Sequence, residues 1–378
     1  MYDYAIIGAG AAGLHLALAM QSDPFFANKR ILILDKDTKD QNDRTWCFWE
    51  KGDGLWDSII LTSWSRGNFY GGGEDIPLDL SPYRYKILRG LDFYNHAKKT
   101  LSKHPGITWI QEEVQQVSKG GPLQITTTKG QYEAEYVFDS RIPPEFFSGG
   151  QEHTRLLQHF KGWWIKTPED FFDPGRFTMM DYRLLYKNST SFTYVLPLNR
   201  REALVEFTLF TKDIIQETDY DTMLQRYMDE ILGLKQFEVT ETEKGIIPMT
   251  DFPFEQYSVG NHLRIGTGGG WVKPSSGYSF KNCEKNAQKV AQNLKRGKSP
   301  GKGIISPKFR LYDALFLDVL YRNNHDGPAL FHTMYQKNTP PTILAFLDDE
   351  TTFAEDFHII NGFPKRPFLG ALMRRLSR

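Results

Sequence analysis

The sequence predicts an α/β fold with three parts: a Rossmann-like domain, an inserted antiparallel β-sheet domain, and a mostly helical C-terminal part. Three observations support this prediction. The chain opens with a glycine-rich turn between a strand and a helix, residues 162–211 are rich in aromatic and β-branched runs, and residues 311–378 follow helical spacing.

The opening segment reads as a strand, a glycine turn, a helix and a second strand, at Tyr4–Ile7, Gly8–Gly13, Leu14–Met20 and Ile31–Leu34. Gly8 makes the tight turn, Gly10 lets the backbone approach a pyrophosphate, and Gly13 lets the helix pack close to the strand. Ala11 lies at the helix N-terminus, where free N–H groups and the positive dipole end attract phosphate. Asp35 ends the second strand, where a carboxylate can accept hydrogen bonds from a ribose. The segment therefore predicts a dinucleotide site.

Composition excludes several other classes of function. The 46 basic and 46 acidic residues give a net charge of zero, which offers no electrostatic basis for binding nucleic acid. The two cysteines, Cys47 and Cys283, lie far apart in sequence, so they suggest neither a disulfide framework nor a zinc site and fit a reducing cytosol. The first strand of the predicted nucleotide domain starts within the first few residues, which leaves no room for a signal peptide. No apolar run is long enough to span a bilayer. We expect a cytoplasmic protein without a signal peptide, a bound metal or a nucleic-acid partner.

The remaining elements divide the chain into domains. Residues 43–90 look irregular, and a helix and three short strands are expected at Phe93–Ser102, Ile107–Ile110, Leu123–Thr127 and Tyr132–Asp139. The predicted nucleotide domain comprises residues 1–75, 85–140 and 255–300. The predicted substrate domain, residues 141–254, contains the strands Ser191–Leu196 and Ala203–Thr211 and a helix at Thr222–Leu232. Residues 301–378 form the helical part.

A second glycine cluster follows a predicted strand and precedes a helix at Asn282–Leu294. Gly266, Thr267, Gly268 and Gly277 provide another surface that a cofactor can approach closely. Flavin-binding folds of the hydroxylase type use such a segment to hold the ribityl chain and to aim a helix N-terminus at the isoalloxazine ring. Two glycine clusters in one domain favour FAD over NAD.

Glu206 lies among apolar residues in a predicted strand, where alternation places it on the same face as Leu204 and Thr208. On an apolar wall its charged form is disfavoured, so it could hold a proton near neutral pH and act as a general acid. Spacing alone leaves open the alternative that Glu206 faces solvent or pairs with a nearby arginine.

Six blocks, in order along the chain, resemble the bacterial flavin-dependent lycopene β-cyclases: DRTWCFW (43–49), MMDYR (179–183), YVLPL (194–198), ALVEFTLFT (203–211), GTGGGWVKPSSGYSFKN (266–282) and FLDDETT (346–352). The resemblance covers essentially the whole chain. It assigns Glu206 as the catalytic acid and base, and Asp181 as a second catalytic residue. It also places Arg44 among the cofactor contacts. The family's second adjacent glutamate is replaced by Phe207, which departs from the pattern. Three acidic residues match a stretch near the family's C-terminus: Asp348, Asp349 and Glu350.

The resemblance implies that the protein closes β-rings at the ends of lycopene, giving γ-carotene and β-carotene, by acid–base isomerisation. Reduced FAD would be required without net redox change, and NAD(P)H would act only as its reductant. Two alternatives stay open: a flavin monooxygenase or polyprenyl reductase of geranylgeranyl type, and a carotenoid- or lipid-binding flavoprotein without turnover. Since lycopene is insoluble in water, we expect peripheral association with the inner face of the cytoplasmic membrane. From Phe368 onward, an amphipathic segment could place Arg374 and Arg375 near lipid phosphates, or could instead dock on the core.

Overall fold

The computed structural model describes residues 1–118, 120–148 and 153–377. Its strands are β1 (Tyr2–Ile7), β2 (Ile31–Asp35), β3 (Thr45–Lys51), β4 (Thr62–Trp64), β5 (Arg66–Gly71), β6 (Glu74–Asp79), β7 (Tyr83–Arg89), β8 (Ile107–Gln111), β9 (Val114–Ser118), β10 (Leu123–Thr127), β11 (Gln131–Asp139), β12 (Arg155–Lys166), β13 (Phe177–Asp181), β14 (Thr190–Pro197), β15 (Glu202–Thr211), β16 (Glu238–Thr250) and β17 (His262–Arg264). Its helices are α1 (Ala11–Ser22), α2 (Gly90–Leu101), α3 (Glu145–Ser148), α4 (Glu217–Arg226), α5 (Phe280–Lys295), α6 (Pro307–Arg322), α7 (Gly327–Lys337), α8 (Pro340–Leu347), α9 (Phe353–Gly362) and α10 (Lys365–Leu376).

The first sheet carries the glycine turn. Its parallel strands run in the order β8, β2, β1, β11 and β17, and the antiparallel strands β10 and β9 extend it beyond β11. Helices α1, α2 and α5 cover one face and enclose a core that includes Leu14, Phe93 and Ala287. The predicted α/β, Rossmann-like architecture is thereby confirmed.

Five strands of the second sheet, β12 to β16, are inserted between β11 and β17, and two earlier strands, β5 and β6, complete it. Its strand order is β16-β12-β15-β14-β13-β5-β6, and every neighbouring pair is antiparallel except β13 with β5. One face packs against α4 and the helical turn Tyr227–Leu232 that continues it, while the other face packs against the C-terminal helices. Because side chains alternate along a strand, β15 sends Val205 and Phe207 to the α4 face and Leu204 to the opposite face.

Residues 43–90, which look irregular in the sequence, instead form β3 to β7. Strands β3, β7 and β4 make a small antiparallel sheet, and β5 and β6 join the second sheet. Gly72 and Gly73 both have positive φ (61° and 81°), so this glycine run is a tight hairpin turn. The predicted domain boundary at residue 75 cuts through that hairpin, which belongs to the second sheet. The glycines and prolines in this region predict irregular structure, but pairing with neighbouring strands makes it a set of β-strands.

The C-terminal helices α6 to α10 cover the second sheet on the face away from α4. The last helix, α10, is tied to the body of the protein by two ion pairs. Arg374 pairs with Asp318 of α6, its Nε atom lying 3.1 Å from Oδ2, and Arg375 Nη1 lies 2.9 Å from Asp251 Oδ2. Of the two alternatives for this segment, the structure shows docking of the basic pair, because both guanidinium groups bind carboxylates of the protein. Among the described residues, we find no helix with the length and apolar character needed to cross a bilayer.

Candidate active site

The first glycine turn has the geometry that a dinucleotide needs. Gly8 has φ of +95°, and a Cβ atom there would lie 2.0 Å from Ser140 Oγ. A Cβ at Gly13 would lie 2.0 Å from the carbonyl oxygen of Gly8, so only glycine lets α1 pack this close to β1. A Cβ at Gly10 would meet no atom within 4 Å. Beside Ala11, the first residue of α1, the backbone is therefore open to an incoming phosphate.

Two charged residues flank this turn. Asp35 lies at the end of β2, where its Oδ2 atom accepts a hydrogen bond from the backbone N–H of Ala9 at 2.5 Å. The carboxylate is thus fixed beside the glycine turn and partly exposed, as ribose binding requires. Arg44 precedes β3 and pairs with the Asp43 carboxylate, with Nε 3.1 Å from Oδ1. The half-exposed Arg44 side chain also lines the cavity described below.

The structure brings the second glycine cluster against the first. A Cβ at Gly266 would lie 3.0 Å from the Cβ of Ala12, so this loop touches the first turn of α1. A Cβ at Gly268 would lie 2.2 Å from the Arg141 carbonyl oxygen, which shows how tightly the loop packs. Thr267 and Gly277 line the same cavity as Arg44, just before α5. Three of the predicted cofactor-binding residues, Arg44, Thr267 and Gly277, thus line one cavity, and the loop that carries Gly266 touches the first turn of α1.

That space suits a flavin dinucleotide. Gln158 Oε1 and Ser276 Oγ are buried in its wall and have no hydrogen-bond partner among the described residues. Buried polar atoms in proteins are normally paired, so these two call for a polar ligand. The open backbone at Gly10 provides room for a pyrophosphate, and Asp35 provides an acceptor for a ribose hydroxyl. The residues present therefore fit FAD.

Glu206 lies in the wall of this same cavity, on the face of β15 predicted from alternation. Its Oε1 atom accepts a hydrogen bond from the Thr208 hydroxyl at 2.9 Å. Burial, together with the nearby carboxylate of Glu243, raises the pKa of Glu206 to about 8. The surrounding wall is aromatic, and it includes Tyr194 and Tyr278. A carboxyl group that stays protonated near neutral pH, set among aromatic rings, is equipped to donate a proton to an apolar substrate.

Glu243, on β16, is a site residue that the sequence did not reveal. Its Oε2 atom accepts hydrogen bonds from the Thr45 hydroxyl at 2.6 Å and from the Trp164 indole N–H at 3.2 Å. In sequence it belongs to the run EVTETEKG, whose alternating charges are typical of a solvent-exposed strand. Its role follows only from the pairing of β16 with β12, which no local pattern encodes.

Asp181 does not join Glu206. Its buried carboxylate accepts hydrogen bonds from Arg183 Nε at 2.9 Å and from the Tyr227 hydroxyl at 2.6 Å. Tyr227 belongs to the helical turn on the α4 side of the sheet, so Asp181 ties β13 to that layer. The position does not support the predicted catalytic role. Phe207 is likewise fully buried on the α4 side, where a carboxylate could not reach the cavity.

The three acidic residues near the C-terminus lie between α8 and α9, beside the second glycine cluster. Asp349 Oδ1 is 2.7 Å from Lys273 Nζ, and Glu350 Oε1 is 2.7 Å from Lys285 Nζ. Burial raises the pKa of Asp348 to about 6, although Lys285 lies nearby. These contacts fasten the helical part to the loop that lines the cofactor space.

A second cavity, strongly apolar, extends from the first towards the C-terminal helices. Its wall is formed mainly by methionine and aromatic side chains, including Met179, Met180, Phe316, Phe331, Met334, Phe346, Phe363 and Phe368. Tyr194, Ser276 and Tyr278 line both cavities. Glu206 lines the first cavity, and its cross-strand neighbour Tyr194 lines both.

Comparisons with known proteins agree with this architecture. A family model described as lycopene cyclase protein matches residues 3–373. No curated protein sequence matches the chain. Among solved structures, the chain is similar to a flavoprotein/dehydrogenase from Cytophaga hutchinsonii (14% identity, TM-score 0.63, covering 99% of both chains). It is also similar to a geranylgeranyl bacteriochlorophyll reductase-like protein from Thermoplasma acidophilum (13%, 0.61, covering 100% of this chain and 98% of that one). A third is the flavin-dependent brominase Bmp2 (16%, 0.60, covering 100% and 99%). At these identities the structural matches show the fold.

Proposed function

The chain belongs to the lycopene cyclase family, and from this premise we propose that it is an FAD-dependent lycopene β-cyclase. It converts the linear ends of lycopene into β-rings, giving γ-carotene and β-carotene, by isomerisation without net redox change. One observation carries the proposal: Glu206, with its raised pKa, lines the cofactor cavity opposite Tyr194 of the neighbouring strand, and Tyr194 lines the apolar cavity as well. Acid, cofactor cradle and hydrocarbon site are thus adjacent.

Glu206 starts the reaction by protonating C2 of the terminal 1,2 double bond, which leaves a tertiary cation at C1. The 5,6 double bond attacks that cation and closes the ring. Loss of the C6 proton to the Glu206 carboxylate gives the β-ring and restores the acid, so protons balance. Tyr194 and Tyr278 line the same cavity, and aromatic rings of this kind stabilise the cation formed during ring closure.

FAD fits the cradle formed by the two glycine clusters and, in its reduced anionic form, would supply negative charge near the cation. NAD(P)H serves only to reduce it. Gly8, Gly10 and Gly13 would hold the pyrophosphate of FAD, and Asp35 would accept a hydrogen bond from its ribose. Thr267 and Gly277 line the same cavity as Glu206.

Two measurements test the function. Expression in a host that accumulates lycopene, followed by chromatography of the pigments, should yield cyclic carotenoids, and Glu206→Gln should abolish them because an amide cannot deliver the proton. Pre-reduced enzyme under anaerobic conditions should complete many turnovers with its flavin still reduced. If each ring consumed one NADPH, the protein would instead be a polyprenyl reductase or monooxygenase, and a polyene recovered unchanged would indicate a binding protein.

We further propose that the enzyme takes lycopene from a lipid surface through α9 and α10. Each helix exposes an apolar stripe at positions i, i+4 and i+7: Phe353, Phe357 and Ile360 on α9, and Leu369, Met373 and Leu376 on α10. The apolar cavity is lined by residues at the junction of these helices, including Ile360, Phe363 and Phe368. An apolar stripe beside the mouth of a hydrocarbon site suits insertion among lipid headgroups.

Co-sedimentation with liposomes tests this surface. Replacing Phe357 and Met373 together by serine should weaken binding, because both side chains are more than 60% exposed (71% and 66%) and their loss leaves the core intact. The matched control replaces Ile214 and Val259, which are 52% and 54% exposed outside these helices. Equal binding by the two double variants would place the lipid contact elsewhere.

A further inference from the structure

Two glutamates from different strands face each other across a glycine. In the register of the second sheet, Gly162 of β12 pairs with Glu206 of β15 on one side and with Glu243 of β16 on the other. A Cβ at Gly162 would lie 3.5 Å from the Glu206 Cβ, 3.2 Å from the Glu243 Cγ and 2.9 Å from Leu204 Cδ1. Both glutamates therefore project from the same face, and Gly162 itself contributes no side chain between them.

Hydrogen bonding favours the anionic form at Glu243 more than at Glu206. One oxygen of Glu243 accepts from both the Thr45 hydroxyl and the Trp164 indole N–H. Among the described residues, Glu206 accepts a hydrogen bond from the Thr208 hydroxyl, and its other side-chain hydrogen bond is with Glu243 itself. Donated hydrogen bonds stabilise a carboxylate, so a single proton shared by the pair belongs on Glu206.

The other titratable groups around the pair do not change which of the two carboxyl groups holds the proton. Burial raises the pKa of Cys47, Tyr194 and Tyr278, which face Glu206, so these groups stay uncharged at neutral pH. On the side of Glu243 lie Arg89 and Glu241, which form an ion pair with each other. Burial raises the pKa of Glu243 as well, whereas the hydrogen bonds from Thr45 and Trp164 act in the opposite direction. Apart from burial, the group that acts most directly on the pKa of Glu206 is therefore Glu243.

We propose that Glu243 is a positioning residue that keeps Glu206 protonated: the two carboxyl groups meet over Gly162 and share one proton, which rests on Glu206 between turnovers. The inference rests on the proposed function, in which Glu206 is the acid. When Glu206 has given its proton to C2, two carboxylates face each other. Their repulsion favours return of the C6 proton to Glu206, so the pair ends each cycle with the one proton it began with.

The test measures the protonation of Glu206 without substrate. The infrared carbonyl stretch of a protonated carboxyl group is recorded in FAD-bound wild type and in FAD-bound Glu206→Gln. The difference between the two spectra is assigned to Glu206, and its intensity is measured as a function of pH. Glu243→Gln removes the charge and should lower the midpoint by about one pH unit, since a like charge at this range raises a pKa by at least that much. Glu243→Asp should restore part of the shift. Glu238→Gln, an exposed change on the same strand and outside the cavity, is the control and should leave the midpoint unchanged.

Gly162→Ala provides a second route, because its methyl group would separate the two carboxyl groups and should also lower the midpoint. FAD content reports whether each variant is folded. During turnover, the pH at which kcat falls on the alkaline side should be lower in Glu243→Gln than in wild type, by the same amount as the infrared midpoint. A wild-type midpoint in folded Glu243→Gln and Gly162→Ala would overturn the pairing. A shifted midpoint in a protein that never cyclises lycopene would instead refute the proposed function and leave the pairing standing.

Discussion

Restoring the acidic pair of the family by Phe207→Glu should damage the protein rather than improve it. Phe207 is fully buried between β15 and α4, on the face of the sheet opposite Glu206. Truncating a buried phenylalanine costs about 3 to 5 kcal/mol. A carboxyl group without a partner there would stay protonated with a pKa of about 8.5, which costs about 4 kcal/mol at pH 7. Whole domains are stable by only about 5 to 15 kcal/mol.

The free energy of unfolding, measured by urea titration of FAD-bound protein, should therefore fall by about 6 kcal/mol or more in Phe207→Glu. Phe207→Leu, the control of similar shape, should lose less than about 1.5 kcal/mol. Because the pKa of the buried carboxyl would be raised in the folded state, part of the lost stability should return as the pH falls from 7 towards 4. A Phe207→Glu protein as stable as wild type at pH 7, or one that cyclises faster, would refute the assignment of this residue to the α4 face.

Three further predictions follow from the site. Gly10→Val should lose FAD, measured by flavin absorbance after gel filtration, because its side chain would occupy the open space above the turn; retained flavin would contradict the cradle. Asp181→Asn should lower the melting temperature, since it leaves Arg183 and Tyr227 without their anionic partner, while kcat per bound flavin should stay near wild type; a stable but inactive variant would restore its catalytic role. Glu206→Gln should unfold at higher urea than wild type, with a difference that grows from pH 5 to 8, because the raised pKa makes ionisation cost folding energy over that range; an equal or lower midpoint at pH 8 would count against a buried acid.

The sequence is most informative where function depends on local geometry. A strand, three glycines and a helix must follow one another within a few residues to make a phosphate turn, so the spacing of Gly8, Gly10 and Gly13 is enough to assign them. The face of Glu206 follows from simple alternation with Leu204. In both cases neighbours in sequence are neighbours in space, and a short window contains the relevant constraint.

The sequence is least informative where distant segments meet. Strand β5 joins the second sheet by pairing with β13, more than a hundred residues later, and β6 pairs with β5. Because this pairing is not local, the glycine run between the two strands suggests irregular structure when the sequence is read alone. Asp181 matches a family block, yet its side chain points to the α4 layer, because a block match does not report which face of a strand a residue occupies. Glu243, in a run with the charge pattern of an exposed strand, becomes a site residue only through strand pairing.

The alternation of side chains along a β-strand explains why the second acid, Glu243, lies on a different strand from Glu206. Adjacent residues face opposite sides of a sheet, so no side chain at position 207 can assist Glu206. On the same face, the next positions along β15 are Leu204 and Thr208, and neither is a carboxylic acid. A second carboxylate must then come from another strand, and the neighbour opposite Glu206 on β12 is Gly162. Because that glycine has no side chain, Glu243 can reach in from one strand further away. The glycine is thus as necessary to the acid site as either carboxyl group.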